Sequence, residues 1–78
     1  MTPISRDVID FLRNVLNIEE PIDGDTALFS TGLLDSVAML NVIGFVEERA
    51  KIEVSAGDVT LENFDTPQRI ADYVDARR

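Results

Sequence analysis

Two polar side chains, Asp35 and Ser36, interrupt the most apolar run of the chain, Gly32-Leu33-Leu34-Asp35-Ser36-Val37-Ala38-Met39-Leu40. A serine hydroxyl becomes a nucleophile when a neighbouring base takes its proton. The sequence contains no histidine, and its only lysine, Lys51, falls near the far end of the helix that Ser36 would begin. Ser36 is therefore not expected to be a catalytic nucleophile of the protein's own, and no enzyme activity is expected. Without cysteine there is neither a disulfide staple nor a thiolate metal site. Asp23-Gly24-Asp25 begins like a calcium loop. Ala27 and Leu28 then stand where the pattern needs an oxygen ligand and a glycine, and Leu34 where it needs the closing glutamate. The four glycines do not form a phosphate-binding loop. The remaining carboxylates read as solvated faces.

Asp35 and Ser36 are both good helix N-cap types. If Asp35 caps, Ser36 is the first helical residue and its hydroxyl is free. If Ser36 caps, Asp35 is spare. Ala38 and Met39 stand where a capping box would need Glu or Gln, so neither choice is reinforced.

The elements that position these residues follow from apolar spacing. Thr2-Pro3 opens a first helix, along which Ile4, Val8, Phe11, Leu12, Val15 and Leu16 form one stripe. Asn17 and Pro21 mark its stop. Residues 17–35 form a long connection whose Ile22, Leu28, Phe29, Leu33 and Leu34 are expected to pack it onto the core. A second helix runs from about Ser36 to Ala50, with Met39, Val42, Ile43, Val46 and Ala50 facing the core. Flanking helices are expected to cover Leu40 and Phe45, while Val37 is left as an exposed contact. Residues 51–65 form a second connection anchored by Ile52, Val54, Val59, Leu61 and Phe64, in which Ser55, Asp58 or Thr60 could cap a short helical turn. Thr66-Pro67 repeats the opening device and starts a last helix with Ile70, Ala71, Tyr73 and Val74 inward. Arg77 and Arg78 stand at its C-terminal end, where the helix dipole favours cations. The expected fold is all-α: a small four-helix bundle of three main helices and one short one, with a long first loop, making one domain over residues 1–78.

The chain has 78 residues, 45% of them apolar, and a formal charge of −8. Arg6, Asp7, Asp10 and Arg13 cancel, so the excess acidity lies in residues 19–78. Acidity excludes a nucleic-acid binder and disfavours anionic membranes. Basic protein partners are its natural counterpart, or else the charge serves solubility. No apolar run reaches the length of a membrane span, and the N-terminus has no signal-peptide core, so a cytoplasmic protein is expected.

Gly32-Leu33-Leu34-Asp35-Ser36, followed by apolar helix residues and Glu47-Glu48, resembles the carrier proteins of fatty-acid, polyketide and nonribosomal-peptide synthesis. The resemblance extends over nearly the whole chain, through "IEV" after the second helix and "LENFDTPQRIADYV" beyond it. It implies that Ser36 is the attachment point of 4′-phosphopantetheine, with Asp35 beside it as the helix cap. It also implies a phosphopantetheinyl transferase that draws on coenzyme A, with Mg²⁺ at that enzyme's site. The arm's thiol would hold an acyl or aminoacyl group as a thioester. The partners implied are a loading enzyme and a downstream synthase or transferase. They would be met through the second helix, at Val37, Asn41, Glu47 and Glu48.

Val37, Ala38 and Asn41 replace the leucine and acidic residues common in housekeeping fatty-acid carriers, which points to a discrete, monomeric carrier of a dedicated polyketide, nonribosomal-peptide or aminoacyl-transfer pathway. The "GLLDS" run also resembles the D-alanyl carriers of cell-wall modification. Any cleft around Met39, Ile43 and Phe64 is expected to be too small for a long acyl chain. The alternative expectation is a small acidic helical interaction module without a prosthetic group.

Overall fold

A computed structural model describes residues 3–77. The expected cap at Thr2 and the terminal Arg78 lie outside the described residues. Four α-helices follow in order: α1 (Pro3–Asn14), α2 (Ser36–Ala50), the short α3 (Leu61–Phe64) and α4 (Pro67–Arg77), with a single turn of 3-10 helix at Ala56–Asp58. Among the described residues there is no strand, and the fold is the expected small helical bundle.

Ile4, Val8 and Leu12 of α1 recur at helical spacing and are buried, joined by Ile9. The stripe ends sooner than the sequence suggests. Asn17 adopts a left-handed conformation (φ 56°), and the Ile18 N–H reaches back to the Leu12 carbonyl at 3.1 Å. Val15 falls beyond the last helical residue and is exposed. In α4 the expected face is the observed one: Ile70, Ala71, Tyr73 and Val74 are buried, and the Thr66 hydroxyl accepts from the Arg69 N–H at 3.0 Å. Phe64 of α3 is fully buried against Tyr73, with ring centroids 5.3 Å apart. Each such side chain contributes roughly 1.5–3 kcal/mol through burial.

Apolar residues surround α2 on several sides, so its core face is less sharply marked. Val42 and Val46 are buried, while Met39, Ile43 and Ala50 are half-buried beside them. Phe45 is covered as expected: its ring stacks on Phe11 of α1, centroids 4.5 Å apart. The expectation for Leu40 fails, because no helix covers it and it is 69% exposed. The short α3 is reached only after the 3-10 turn and leaves that flank of α2 open. Arg49 at the far end of α2 pairs with Asp7 of α1 at 2.9 Å.

Among the three candidate caps of the second connection, Thr60 caps α3, its hydroxyl accepting from the Asn63 N–H at 3.3 Å. Ser55 precedes the 3-10 turn without a side-chain cap bond. Asp58 instead accepts from the Tyr73 hydroxyl at 2.8 Å and pairs with Arg77, whose guanidinium lies over the Tyr73 ring. Burial, then the bond to Asp58, pushes the Tyr73 phenol above its ordinary value.

The long loop between α1 and α2 is packed down. Ile22, Leu28 and Leu34 are buried. The Leu28 N–H donates to the Asp65 carbonyl at 2.7 Å and the Gln68 N–H to the Gly24 carbonyl at 3.0 Å, joining the loop to the start of α4. Asp23 closes a local turn, its carboxylate accepting from the Asp25 N–H (2.9 Å) and the Thr26 hydroxyl (3.0 Å).

Candidate functional site at the start of helix α2

Gly32 ends a turn from Phe29 in the left-handed region (φ 81°), a conformation that costs glycine nothing. The chain then buries Leu34 and reaches Asp35 in extended geometry. The Asp35 carboxylate accepts from the Ala38 N–H at 2.9 Å, and its carbonyl accepts from the Met39 N–H at 3.0 Å. Asp35 is therefore the N-cap, and Ser36 is the first helical residue. The Ser36 side chain is exposed, and its hydroxyl makes no hydrogen bond among the described residues. The first N–H groups of a helix have no intrahelical acceptor, and the dipole is positive there. An oxygen on Ser36 thus sits where a phosphodiester is favoured. Lys51 lies about 22 Å further along the helix axis, too far to act as a base.

Grooves run along two flanks of this helix start. One, open and about 550 Å³, is lined by Phe29, Met39, Leu40, Ile43 and Val59 together with Ser36. Met39 and Ile43 line it as expected, but Phe64 lies beneath in the core. The other, about 360 Å³, is lined by Leu33, Val37, Ala38 and Asn41. Val37 is 67% exposed and Asn41 is exposed beside it.

The structure thus brings Asp35, Ser36, Val37 and Asn41 together. It sets Glu47 and Glu48 apart, about 16–18 Å from Ser36 along the helix. Glu47 is half-buried, and its carboxylate accepts from the Val54 N–H at 2.9 Å, fastening the turn after α2. Glu48 is exposed and lines a different groove with Phe11, Val15 and Phe45.

Sequence reasoning missed two residues. Leu40 stands four positions after Ser36, outside the core arc, which was the available signal for an exposed apolar residue next to the site. Asp65 is 6% exposed and clamps the loop that leads to the site. One carboxylate oxygen accepts from the Phe29 and Ser30 N–H groups, each at 2.9 Å, and the other from the Ser30 hydroxyl at 2.7 Å. Burial alone would raise its pKa. The bonds from Ser30 and Phe29, aided by Arg69, outweigh that and hold the carboxyl below its ordinary value of 3.8.

An exposed, uncommitted serine thus stands at the capped start of α2 on a small acidic helical bundle, and it is the comparison with known proteins that shows the family. The family profile described as the phosphopantetheine attachment site matches residues 6–74, and the chain belongs to that family. It is a non-catalytic carrier protein, and the family's cofactor is covalently attached 4′-phosphopantetheine. The alternative of an interaction module without a prosthetic group is thereby set aside.

Its curated relatives include the D-alanyl carrier protein of Enterococcus faecalis, 31% identical over 74 residues that make up 94% of this chain and 95% of the relative. The D-alanyl carrier protein of Bacillus mycoides is 32% identical over 90% of each chain. That of Lactobacillus acidophilus is 28% identical over 88% of this chain and 87% of its own. No solved structure gives a significant match. Among the described residues, no helix is long and apolar enough to cross a membrane.

Proposed function

We propose that Ser36 bears the 4′-phosphopantetheine arm and that the cargo is a D-alanyl or similarly small aminoacyl group. The observation that carries the first part is the division of labour at the helix start: Asp35 supplies the cap, leaving the Ser36 hydroxyl exposed and unbonded among the described residues. A transferase supplies the base that this chain lacks. Attachment forms one bond from Ser36 Oγ to the pantetheine-side phosphorus of coenzyme A and breaks its pyrophosphate P–O bond, releasing adenosine 3′,5′-bisphosphate, while the Ser36 proton passes to the transferase's base. When bound, the arm supplies a thiol for thioester linkage. The chain's own residues present the hydroxyl, offer helix-end N–H groups to the phosphodiester, and wall the adjoining groove with Phe29, Met39 and Leu40.

The names of the relatives support an aminoacyl cargo. Nothing in the comparisons favours the polyketide or nonribosomal-peptide pathways expected from the sequence. The protein works in the cytoplasm as a monomer, meeting transferase, loading enzyme and acceptor enzyme in turn through Val37, Leu40 and Asn41.

Intact mass after incubation with coenzyme A and a broad-specificity phosphopantetheinyl transferase tests the attachment. A gain of one phosphopantetheine that disappears in Ser36→Ala is expected, and an undiminished gain in that variant overturns it. Weighing the group on native protein, with chiral analysis of the amino acid released by mild alkali, tests the cargo. A long acyl group would overturn the aminoacyl reading.

A further inference from the structure

We infer that Asp65 is a positioning residue for Ser36: its carboxylate holds the loop 28–35 in the one conformation that presents the serine to the transferase. The inference rests on the reading of Ser36 as the attachment residue. The connection is continuous in the structure. Asp65 receives the Phe29 and Ser30 N–H groups and the Ser30 hydroxyl, while its own carbonyl receives the Leu28 N–H. The Leu28 carbonyl in turn accepts from the Leu34 N–H at 2.9 Å, next to Asp35. Leu28 and Leu34 are buried, so the backbone between these bonds is fixed at both ends. Phe29, held by Asp65 through its backbone, is also a wall of the groove that Ser36 borders.

A buried carboxylate that accepts three hydrogen bonds from one short stretch of loop does more than fill space. Replacing it with an apolar side chain takes from the Phe29 and Ser30 N–H groups and the Ser30 hydroxyl the acceptor that ties them to the start of α4. The loop then exchanges between the observed arrangement and others in which Asp35 and Ser36 are displaced. A partner that binds only the observed arrangement sees its apparent affinity fall by the fraction still populated, while turnover of the bound complex is unchanged. A residue important only for global stability would leave both parameters alone as long as the protein stayed folded.

The test compares wild type, Asp65→Ala, Asp65→Asn and Ser30→Ala with Val8→Ala, a core truncation in α1 away from the loop. Steady-state phosphopantetheinylation, with carrier concentration varied, gives KM and kcat. Amide hydrogen exchange on the unmodified proteins reports the loop independently of any modification. The expected result is a KM rise of about tenfold for Asp65→Ala and about threefold for Asp65→Asn, with kcat within about twofold. Ser30→Ala stays near wild type. Val8→Ala loses melting temperature without a KM change. The Phe29 and Ser30 amides lose protection in Asp65→Ala, while those of Val42 and Val46 keep it.

An unchanged KM, a KM rise no larger than that of Val8→Ala, or unaltered protection at Phe29 and Ser30 would overturn the inference. If Asp65→Ala does not fold, Asp65→Asn is judged by the same criteria at its smaller expected shift. Failure of wild type to accept the group would overturn the Ser36 reading instead, and the exchange data would still decide whether Asp65 orders the loop.

Discussion

Glu47 and Glu48 are neighbours in different surroundings, one bonded across a turn and one exposed, and substituting them tests whether the first is a structural charge and the second a steering one. Glu47 receives the Val54 N–H at 2.9 Å across the turn that follows α2. A hydrogen bond to a charged group contributes roughly 1.5–3 kcal/mol. Glu47 is only half-buried, so the low end applies, and Glu47→Ala is expected to cost about 1.5 kcal/mol. For a domain of this size each kcal/mol moves the melting temperature by about 4–8 °C, giving a drop of about 6–12 °C. Glu47→Gln keeps an acceptor and is expected to lose about half of that. Glu48 is exposed, so Glu48→Lys should change stability by less than about 0.5 kcal/mol. Its effect should instead be slower transfer with a basic partner, larger at low salt than at high salt. Thermal melts at low salt and at 1 M NaCl, paired with transfer rates at both, make the comparison. Melting of Glu47→Ala at the wild-type temperature would refute the assignment. So would a Glu47 defect that disappears in 1 M salt, where a surface charge is screened within about 3 Å but a direct hydrogen bond survives.

Asp35→Ala removes the cap and is expected to cost about 1 kcal/mol, with faster exchange of the Ala38 amide as its local signature. Asp65 is charged more readily in the folded protein than in the unfolded chain, so its charge stabilises the fold above the ordinary carboxyl value of 3.8. That contribution is lost as pH falls through the lowered folded value. The difference in urea midpoint between wild type and Asp65→Asn should therefore be steady from neutral pH down to about the ordinary value of 3.8 and shrink as pH falls from there through the lowered folded value; a constant difference to strongly acid pH would contradict the clamp. Phe64→Ala empties the centre of the core at a cost of about 3–5 kcal/mol. At about 0.05–0.15 kcal/mol per residue this is a large part of the whole stability, and the urea transition should move or vanish accordingly.

The helices were legible because their apolar spacing is the cause of their burial. Ile70, Ala71, Tyr73 and Val74 share one face of α4 by arithmetic alone. The free hydroxyl of Ser36 was legible as one of two capping alternatives, and the geometry at Ala38 decides between them. What the sequence left open depends on distant chain segments. Whether Leu40 is covered depends on where the short α3 packs, which no pattern within α2 encodes. Glu47 reads as one more surface carboxylate until the turn at Lys51, left-handed at φ 59°, brings the Val54 N–H back to it. Asp65 is separated by 35 and 36 positions from the amides it receives, so nothing local marks it as the anchor of the first loop.

The capping of α2 by Asp35 has a bearing on how such a carrier is read by the enzymes around it. The interaction that secures the start of the helix belongs to Asp35 and not to the serine beside it. A group placed on the Ser36 hydroxyl would therefore break no hydrogen bond seen among the described residues. The cap itself would then carry no record of whether that group is present.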